Sequence, residues 1–158
     1  MPDIVFESPH DLKAAVGKHL GYSPWMTMEQ ERVDKFAEAT NDHQWIHVDV
    51  ERANSGPFGA TIAHGYLTLS LIPVLTSEFV EFENLERAIN FGANKVRFYT
   101  PVPEGARVRA RGTVLQARQR AGALLLTSEV RIEVDGERKP ACVAEILGMY
   151  FFKDAAAG

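Results

Sequence analysis

The fold depends most on residues 66–80, which read YLTLSLIPVLTSEFV. Apolar side chains occur nearly all round a helix drawn through it, and a helix of that kind is buried rather than amphipathic. About 15 residues are too few to cross a bilayer, so other parts of the chain must bury this helix. Pro73 lies within the stretch and predicts a kink or a break there.

The second half of the chain has the pattern of β-strands. Apolar and polar side chains alternate along it, which is typical of strands with one buried face. Asp135-Gly136 follows the best of these runs and predicts a turn, because Gly tolerates positive φ. The predicted strands are residues 95–99, 107–116, 123–134 and 142–152. They indicate an α+β protein in which a curved antiparallel sheet wraps round the long 66–80 helix.

Two further helices are predicted in the first half. Residues 8–11, SPHD, are a helix start signal, and Gly21 is a plausible stop. Thr27 and Gln30 form a capping-box pattern for the second helix. Its apolar face repeats with helical spacing, and Asn41 can leave the helix in a left-handed conformation.

Composition and charge exclude several classes of protein. A chain of 158 residues is the size of one domain, residues 1–158, with a single core. Its net charge of -4 argues against nucleic acid or an anionic membrane as the main partner. Cys142 is the only cysteine, so an intramolecular disulfide is impossible. The start, MPDIVFESPH, lacks a basic region and an apolar region. We therefore predict a cytoplasmic protein.

Residues 36–67, FAEATNDHQWIHVDVERANSGPFGATIAHGYL, hold the side chains that point to chemistry. Asp42 and His47 on one helix would lie roughly 140° apart around its axis. They converge only if the helix ends near Asn41 and a loop curls between them. A carboxylate with an imidazole is a standard pair for moving protons to and from water and carbon. The alternative is a helix-ending Asp and an unrelated loop His.

His64-Gly65 precedes the buried helix. The first amides of a helix have no partner inside the helix and carry partial positive charge. Glycine there lets a carbonyl oxygen that gains negative charge approach the backbone closely. The alternatives are a glycine needed only for its backbone and a His64 ring that supports the loop.

His43 and His47 have an HxxxH spacing that can bind a metal on a helix. Gln44 stands where a zinc protease carries Glu, and the helix is expected to have ended. We predict no metal site.

These residues together resemble the MaoC-like family, which includes the (R)-specific enoyl-CoA hydratases. The family motif runs Gly-Asp-x-Asn-Pro-Leu/Ile-His, with a small residue six positions later. Residues 41–47 read NDHQWIH, with Ala53 at the small position and AHG at 63–65. The Asp, the aliphatic residue and the His match, whereas the residues at the Gly, Asn and Pro positions differ. The resemblance continues through the buried helix and residues 96–105, and covers about two-thirds of the chain.

The resemblance implies a hot-dog fold. It also implies that Asp42 and His47 hold one water and add its hydroxyl to the β-carbon and its proton to the α-carbon of a trans-2-enoyl thioester. The amide of Gly65 would polarise the thioester carbonyl. No metal or redox cofactor is implied. Members of the family usually form homodimers, with the acyl thioester bound near the interface.

Other residues are candidates for substrate binding. His64, which directly precedes Gly65 in the sequence, is one of them, while Trp45 and Tyr66 either line an acyl pocket or belong to the core. Arg97 either contacts the phosphates of coenzyme A or faces solvent. The same two interpretations hold for Lys95 and for the alternating arginines 107, 109 and 111, whose pattern is typical of the solvated face of a strand.

The function predicted is therefore an (R)-specific enoyl-CoA hydratase, reversible as a 3-hydroxyacyl-CoA dehydratase. Three alternatives remain open at this point. The first is a dehydratase that uses acyl carrier protein, since the same residues serve either carrier. The second is a hot-dog thioesterase, in which a carboxylate directs water at the carbonyl. The third is a non-catalytic subunit that binds acyl groups.

Overall fold

A computed structural model describes residues 2–153 of the chain. The helices are α1 Pro9–Ala14, α2 Gln30–Thr40, α3 Trp45–Val48, α4 Val50–Asn54, α5 Gly65–Ser70 and α6 Ile72–Thr76. The strands are β1 Ile4–Phe6, β2 His19–Tyr22, β3 Met26–Thr27, β4 Val80–Phe82, β5 Leu85–Phe98, β6 Arg107–Arg120, β7 Ala123–Val134 and β8 Cys142–Phe152. The described helices therefore lie in the first half, together with the short strands β1, β2 and β3, and the long strands lie in the second half as predicted.

The main sheet is antiparallel and has the strand order β2-β6-β7-β8-β5, with β3 also paired to β6. Strands β7 and β8 have the bounds predicted from their alternation. Gly136 has a φ of 84°, which confirms the turn after β7. The inner face of β7 includes buried Val130, Ile132 and Val134, so the alternation identified the face that meets the core.

Strands β5 and β6 are both longer than the sequence predicted. The 95–99 prediction captured only the end of β5, which begins at Leu85. Lys95 has a φ of 52° at one of the register shifts between β5 and β8. Strand β5 is exposed along almost its whole length, so alternation of burial could not reveal it. A separate pair of short parallel strands, β1 and β4, was also missed.

The central helix is shorter than predicted and broken. Leu71 separates α5 from α6, Pro73 lies in the first turn of α6, and the helix ends at Thr76 rather than continuing to position 80. Proline lacks the amide proton that a continuous helix needs, which explains the break. One side also faces outward, since Tyr66 is 70% exposed. The expectation of a helix buried all round is thus wrong for the single chain, because the sheet covers only one side of it.

The first two helices differ from the sequence predictions at their ends. The backbone N–H of Ser8 donates to the Asp11 carboxylate at 3.1 Å, which confirms the start of α1. That helix ends at Ala14, well before Gly21, which lies in β2. Thr27 does not cap α2, because it is paired in β3, and Glu29 occupies the cap position.

The core is one cluster between the sheet and the broken central helix. Leu67, Leu71 and Leu75 pack there against the inner faces of the long strands. A sheet wrapped on a central helix is the hot-dog architecture, and α5–α6 is its central segment. Among residues 2–153, no helix has both the length and the apolar character needed to cross a membrane.

Candidate active site

Asp42 is positioned by the end of α2. Asn41 has a φ of 58° in the left-handed region, and the Asp42 amide still donates to the carbonyl of Ala37 at 3.1 Å. The chain therefore turns away directly after the helix, as predicted. The Asp42 side chain is 54% exposed, so its carboxylate is open to water in the single chain.

His47 lies on α3, a single helical turn, and its side chain is buried. Its Nδ1 is 2.6 Å from the carbonyl oxygen of Ile62. A carbonyl can only accept a hydrogen bond, so Nδ1 carries the proton and Nε2 keeps its lone pair. The backbone amide of Ile62 also donates to Ile46 at 3.0 Å. The imidazole is thus held with a basic nitrogen available.

Burial lowers the pKa of His47 below its usual 6.5. The hydrogen bond to Ile62 and the charge of Asp42 oppose this shift, and His64 adds to it, but burial is the largest cause. Loss of hydration disfavours the imidazolium form. His47 is therefore neutral at pH 7, the state that a general base requires.

Gln30 links α2 to the segments around His47. Its Nε2 donates to the backbone carbonyl of His47 at 2.8 Å, and its Oε1 accepts a hydrogen bond from the Thr61 hydroxyl. Thr61 is buried and directly precedes Ile62. The sequence pattern predicted a capping-box role for Gln30 and gave no sign of this one. No local pattern signals it, because the partners are 17 and 31 residues away.

His64 is buried between the catalytic candidates. Its ring stacks on that of His47 with centroids 3.8 Å apart, and its other neighbour is Phe36 at 4.9 Å. Nε2 of His64 is 2.9 Å from the carbonyl oxygen of Asp42 and 4.0 Å from the Asp42 carboxylate. His64 therefore ties the Asp42 loop to the beginning of α5.

Asp42, His47 and His64 each bring one potential metal-ligand atom to within 4.8 Å of the others. The sequence did not predict this trio, because it offered only the HxxxH pair. His64 Nε2 and His47 Nδ1 are already engaged with carbonyl oxygens. The atoms left over are His47 Nε2, the Asp42 carboxylate and His64 Nδ1, which is buried and has no hydrogen-bond partner among the described residues. The first two suit a bound water.

Gly65 is the first residue of α5. A Cβ at this position would lie 3.1 Å from the ring of Phe98, so packing as well as access requires glycine. Gly65 lines a cavity of ≈ 200 Å³ with Thr68, Phe98 and Thr100. The amide of a helix's first residue has no acceptor within the helix, so it is available to a ligand in that cavity.

The other predicted substrate residues make their contacts with residues other than Asp42, His47 and His64. The indole of Trp45 packs beneath the Arg52 guanidinium, 4.1 Å away, and is outside the core cluster. Tyr66 is exposed and meets Phe98 edge-on, so the core interpretation is wrong for it in the single chain. Arg97 is exposed on β5 and donates to the neighbouring carbonyl of Val96.

Arginines 107, 109 and 111 pair with acidic residues of β7 and of the turn that follows it. Arg107 pairs with Asp135, and Arg109 and Arg111 approach Glu133 at 2.9 and 3.3 Å. These contacts favour the interpretation of a solvated strand face for Arg107 and Arg109. A larger apolar cavity of ≈ 270 Å³ lies beside α6 and includes neither Asp42 nor His47.

A carboxylate and a neutral imidazole that converge at the start of a central helix can share one water and transfer its proton. On this fold, they define an acid–base enzyme of the hot-dog class. Comparison with known proteins agrees, since residues 11–135 match the model of the MaoC like domain. The chain belongs to the MaoC-like family and is a hydro-lyase of the hydratase/dehydratase type.

Similar proteins include 3-hydroxyacyl-thioester dehydratase Z of Mycobacterium tuberculosis, 51% identical over 146 residues, which covers 92% of this chain and 97% of that protein. The R-hydratase PhaJ1 from Pseudomonas aeruginosa aligns with a TM-score of 0.67 and 21% identity over 87% of this chain and 83% of that one. The (R)-hydratase from A. caviae involved in PHA biosynthesis aligns with a TM-score of 0.68 and 24% identity, over 84% of this chain and 94% of that one. At these identities the two structures support the fold.

Proposed function

We propose that this chain is an (R)-specific enoyl-CoA hydratase that also works in reverse as a 3-hydroxyacyl-CoA dehydratase. The observation that carries the proposal is the convergence of the Asp42 carboxylate with the His47 ring, where an oxygen of the one and a nitrogen of the other lie within 4.8 Å. The relative named a 3-hydroxyacyl-thioester dehydratase, at 51% identity, supports the choice of substrate class. The (R) handedness is taken from the resemblance to the (R)-specific enoyl-CoA hydratases, and the two structural neighbours named as R-hydratases share the fold.

In the hydration direction, Asp42 and His47 hold one water between them. His47 Nε2 takes a proton as the water oxygen forms a bond to the β-carbon of the enoyl thioester. The electron pair of the alkene moves toward the α-carbon and the carbonyl oxygen, where the Gly65 amide stabilises the negative charge. Protonated His47 then delivers this proton to the α-carbon, so the hydroxyl and the proton of one water are both added. Dehydration follows the same steps in reverse.

The test is hydration of crotonyl-CoA, followed through the loss of the absorbance of its conjugated thioester, together with an assay for free thiol. We expect loss of absorbance without thiol release. Thiol release at the same rate would instead identify the thioesterase alternative. Activity with the acyl carrier protein thioester and none with the coenzyme A thioester would instead identify a dehydratase that uses acyl carrier protein.

We also propose a homodimer. Strand β5 forms an edge of the sheet with 14 residues, and a long exposed edge is a liability unless another chain covers it. Ile89 and Phe91 on that strand are exposed, as is Tyr66 beside Phe98. A two-fold pairing of copies would cover this surface and reduce the exposure of Asp42. Light scattering on the active enzyme should give twice the chain mass, and a monomer at micromolar concentration would contradict the proposal.

Residues 1–158 are proposed to form one domain in the cytoplasm. One contiguous core cluster supports the single domain. Cys142 is a buried free thiol whose pKa is raised to about 11 by burial, which suits a reducing compartment. Fractionation of cells into soluble and exported pools would test the location.

A further inference from the structure

A cavity of ≈ 200 Å³ on the outer face of the sheet is lined mainly by basic side chains. Its charged lining residues are Arg111, Arg131, Arg138, Lys139, Glu133 and Glu137. Four cations thus face two anions, although the chain as a whole has a net charge of -4. The cavity is therefore a local site of positive charge.

Arg111 and Arg131 form the centre of this cavity. They are directly opposite one another on β6 and β7, where like charges destabilise a sheet. Glu129 contacts Arg131 at 3.0 Å. Glu133 is 3.3 Å from Arg111 but also accepts a hydrogen bond from Arg109 at 2.9 Å. The Glu133 carboxylate is thus shared by Arg109 and Arg111. The opposed arginines therefore keep an excess of positive charge.

Arg111 shares its acidic partner with Arg109. Its Nε is buried and lies 3.3 Å from the Glu133 carboxylate without forming a hydrogen bond. The planar guanidinium matches the oxygens of a phosphate. The excess of positive charge in this cavity therefore points to an anionic ligand.

The basic cavity shares a wall with the pocket at Gly65. The Thr100 hydroxyl donates to the carbonyl of Lys139 at 2.9 Å, and the Tyr99 amide donates to the carbonyl of Ala141 at 3.0 Å. Tyr99, Thr100 and Ala141 line the Gly65 pocket, whereas Lys139 lines the basic cavity. A ligand that leaves the Gly65 pocket over this wall reaches the basic cavity.

We propose that the basic cavity binds the phosphate groups at the adenosine end of coenzyme A when the thioester lies at Gly65. This inference rests on the proposed function. Coenzyme A joins its thioester to a 3′-phosphate and a 5′-diphosphate through the flexible pantetheine arm, which crosses the shared wall. The cavity makes the enzyme prefer coenzyme A thioesters to those of pantetheine alone.

The test compares kcat/KM for crotonyl-CoA with kcat/KM for crotonyl-pantetheine. In the double variant Arg138→Gln/Lys139→Gln, which alters two exposed turn residues, the ratio of the two values should fall about tenfold. Arg118→Gln is the matched control, because Arg118 is exposed on β6 roughly 24 Å along the strand from Arg111. Its ratio should stay that of the wild type. A double-variant ratio within twofold of the wild type, or an equal fall in the control, overturns the proposal.

A binding measurement separates this proposal from the proposed function. Adenosine 3′,5′-bisphosphate, titrated by calorimetry, should bind the wild type and Arg118→Gln about tenfold more tightly than the double variant. This readout needs no turnover, so it decides the proposal even if neither thioester is hydrated. Absence of binding to the wild type, or equal binding to all three proteins, refutes the phosphate site.

Discussion

Replacement of Gln30 by alanine tests whether the site depends on the contacts that hold His47. The side chain makes two hydrogen bonds that reach the site, one to the His47 carbonyl at 2.8 Å and one from the buried Thr61 hydroxyl. Gln30→Ala leaves both groups without this partner. A buried polar group that loses its partner costs about 1–3 kcal/mol, so for two such groups we expect the free energy of unfolding to fall by about 2–6 kcal/mol.

The same substitution should lower kcat/KM about tenfold, because a loosened α3 no longer fixes the imidazole in its reactive geometry. Glu31→Ala is the matched control on the same helix. Glu31 pairs with Lys35 at 3.0 Å, with the two side chains 73% and 75% exposed, and such a surface pair contributes at most about 0.5 kcal/mol. Urea unfolding and hydration kinetics measure both effects. If Gln30→Ala and Glu31→Ala give the same stability and the same kcat/KM, the proposed role of Gln30 is wrong.

Three further predictions concern the acid–base pair and its protonation. Asp42→Asn or His47→Gln should lower turnover by about 10²–10⁴-fold while circular dichroism stays that of the wild type; wild-type hydration rates in either folded variant would refute the assignment. The lowered pKa of His47 means that the unfolded chain takes up its proton more readily. The stability associated with neutral His47 is therefore present above pH 6.5 and is lost as the pH falls through the lower folded pKa. Urea titrations at several pH values should show this slope in the wild type and a flatter one in His47→Gln, and equal slopes would contradict it. Exhaustive treatment with a chelator should leave activity unchanged, because the proposed mechanism needs only a carboxylate and an imidazole. Loss of activity that a divalent ion restores would overturn that mechanism.

Local sequence patterns predicted the strands and turns whose burial depends only on contacts within this one chain. The bounds of β7 and β8 follow from alternation, because the core contacts one face of each strand. The turn at Gly136 and the left-handed Asn41 follow from the residue types that tolerate positive φ. The left-handed Asn41 only made it possible for Asp42 and His47 to converge, and the pairing itself was implied by the family resemblance.

The exposed surfaces were predicted less well. Strand β5 is solvent-exposed on both sides along most of its length, so it lacks the period of two that marks a half-buried strand. The stretch 66–80 is apolar on all sides, yet Tyr66 and Val74 face outward. A sequence records that a side chain is apolar, but not whether its own chain or another copy covers it.

The supporting contacts of the site could not be predicted at all. Gln30 reaches His47 and Thr61 through side-chain hydrogen bonds between positions far apart in the sequence. The Phe98 ring that packs on Gly65 of α5 comes from strand β5. Such contacts depend on the finished packing of the sheet against the helices. They carry no periodicity or local spacing that a single sequence could reveal.

Chiral analysis of the product formed from crotonyl-CoA in deuterated water tests the central proposal most directly. One water held between Asp42 and His47 can meet only one face of an alkene whose thioester carbonyl is fixed at Gly65. The oxygen and the deuterium must therefore add from the same side. We predict a single product, the (3R)-hydroxyacyl thioester, with deuterium at the α-carbon in the configuration of syn addition. An (S) or racemic product would contradict the arrangement of Asp42, His47 and Gly65 proposed for this site.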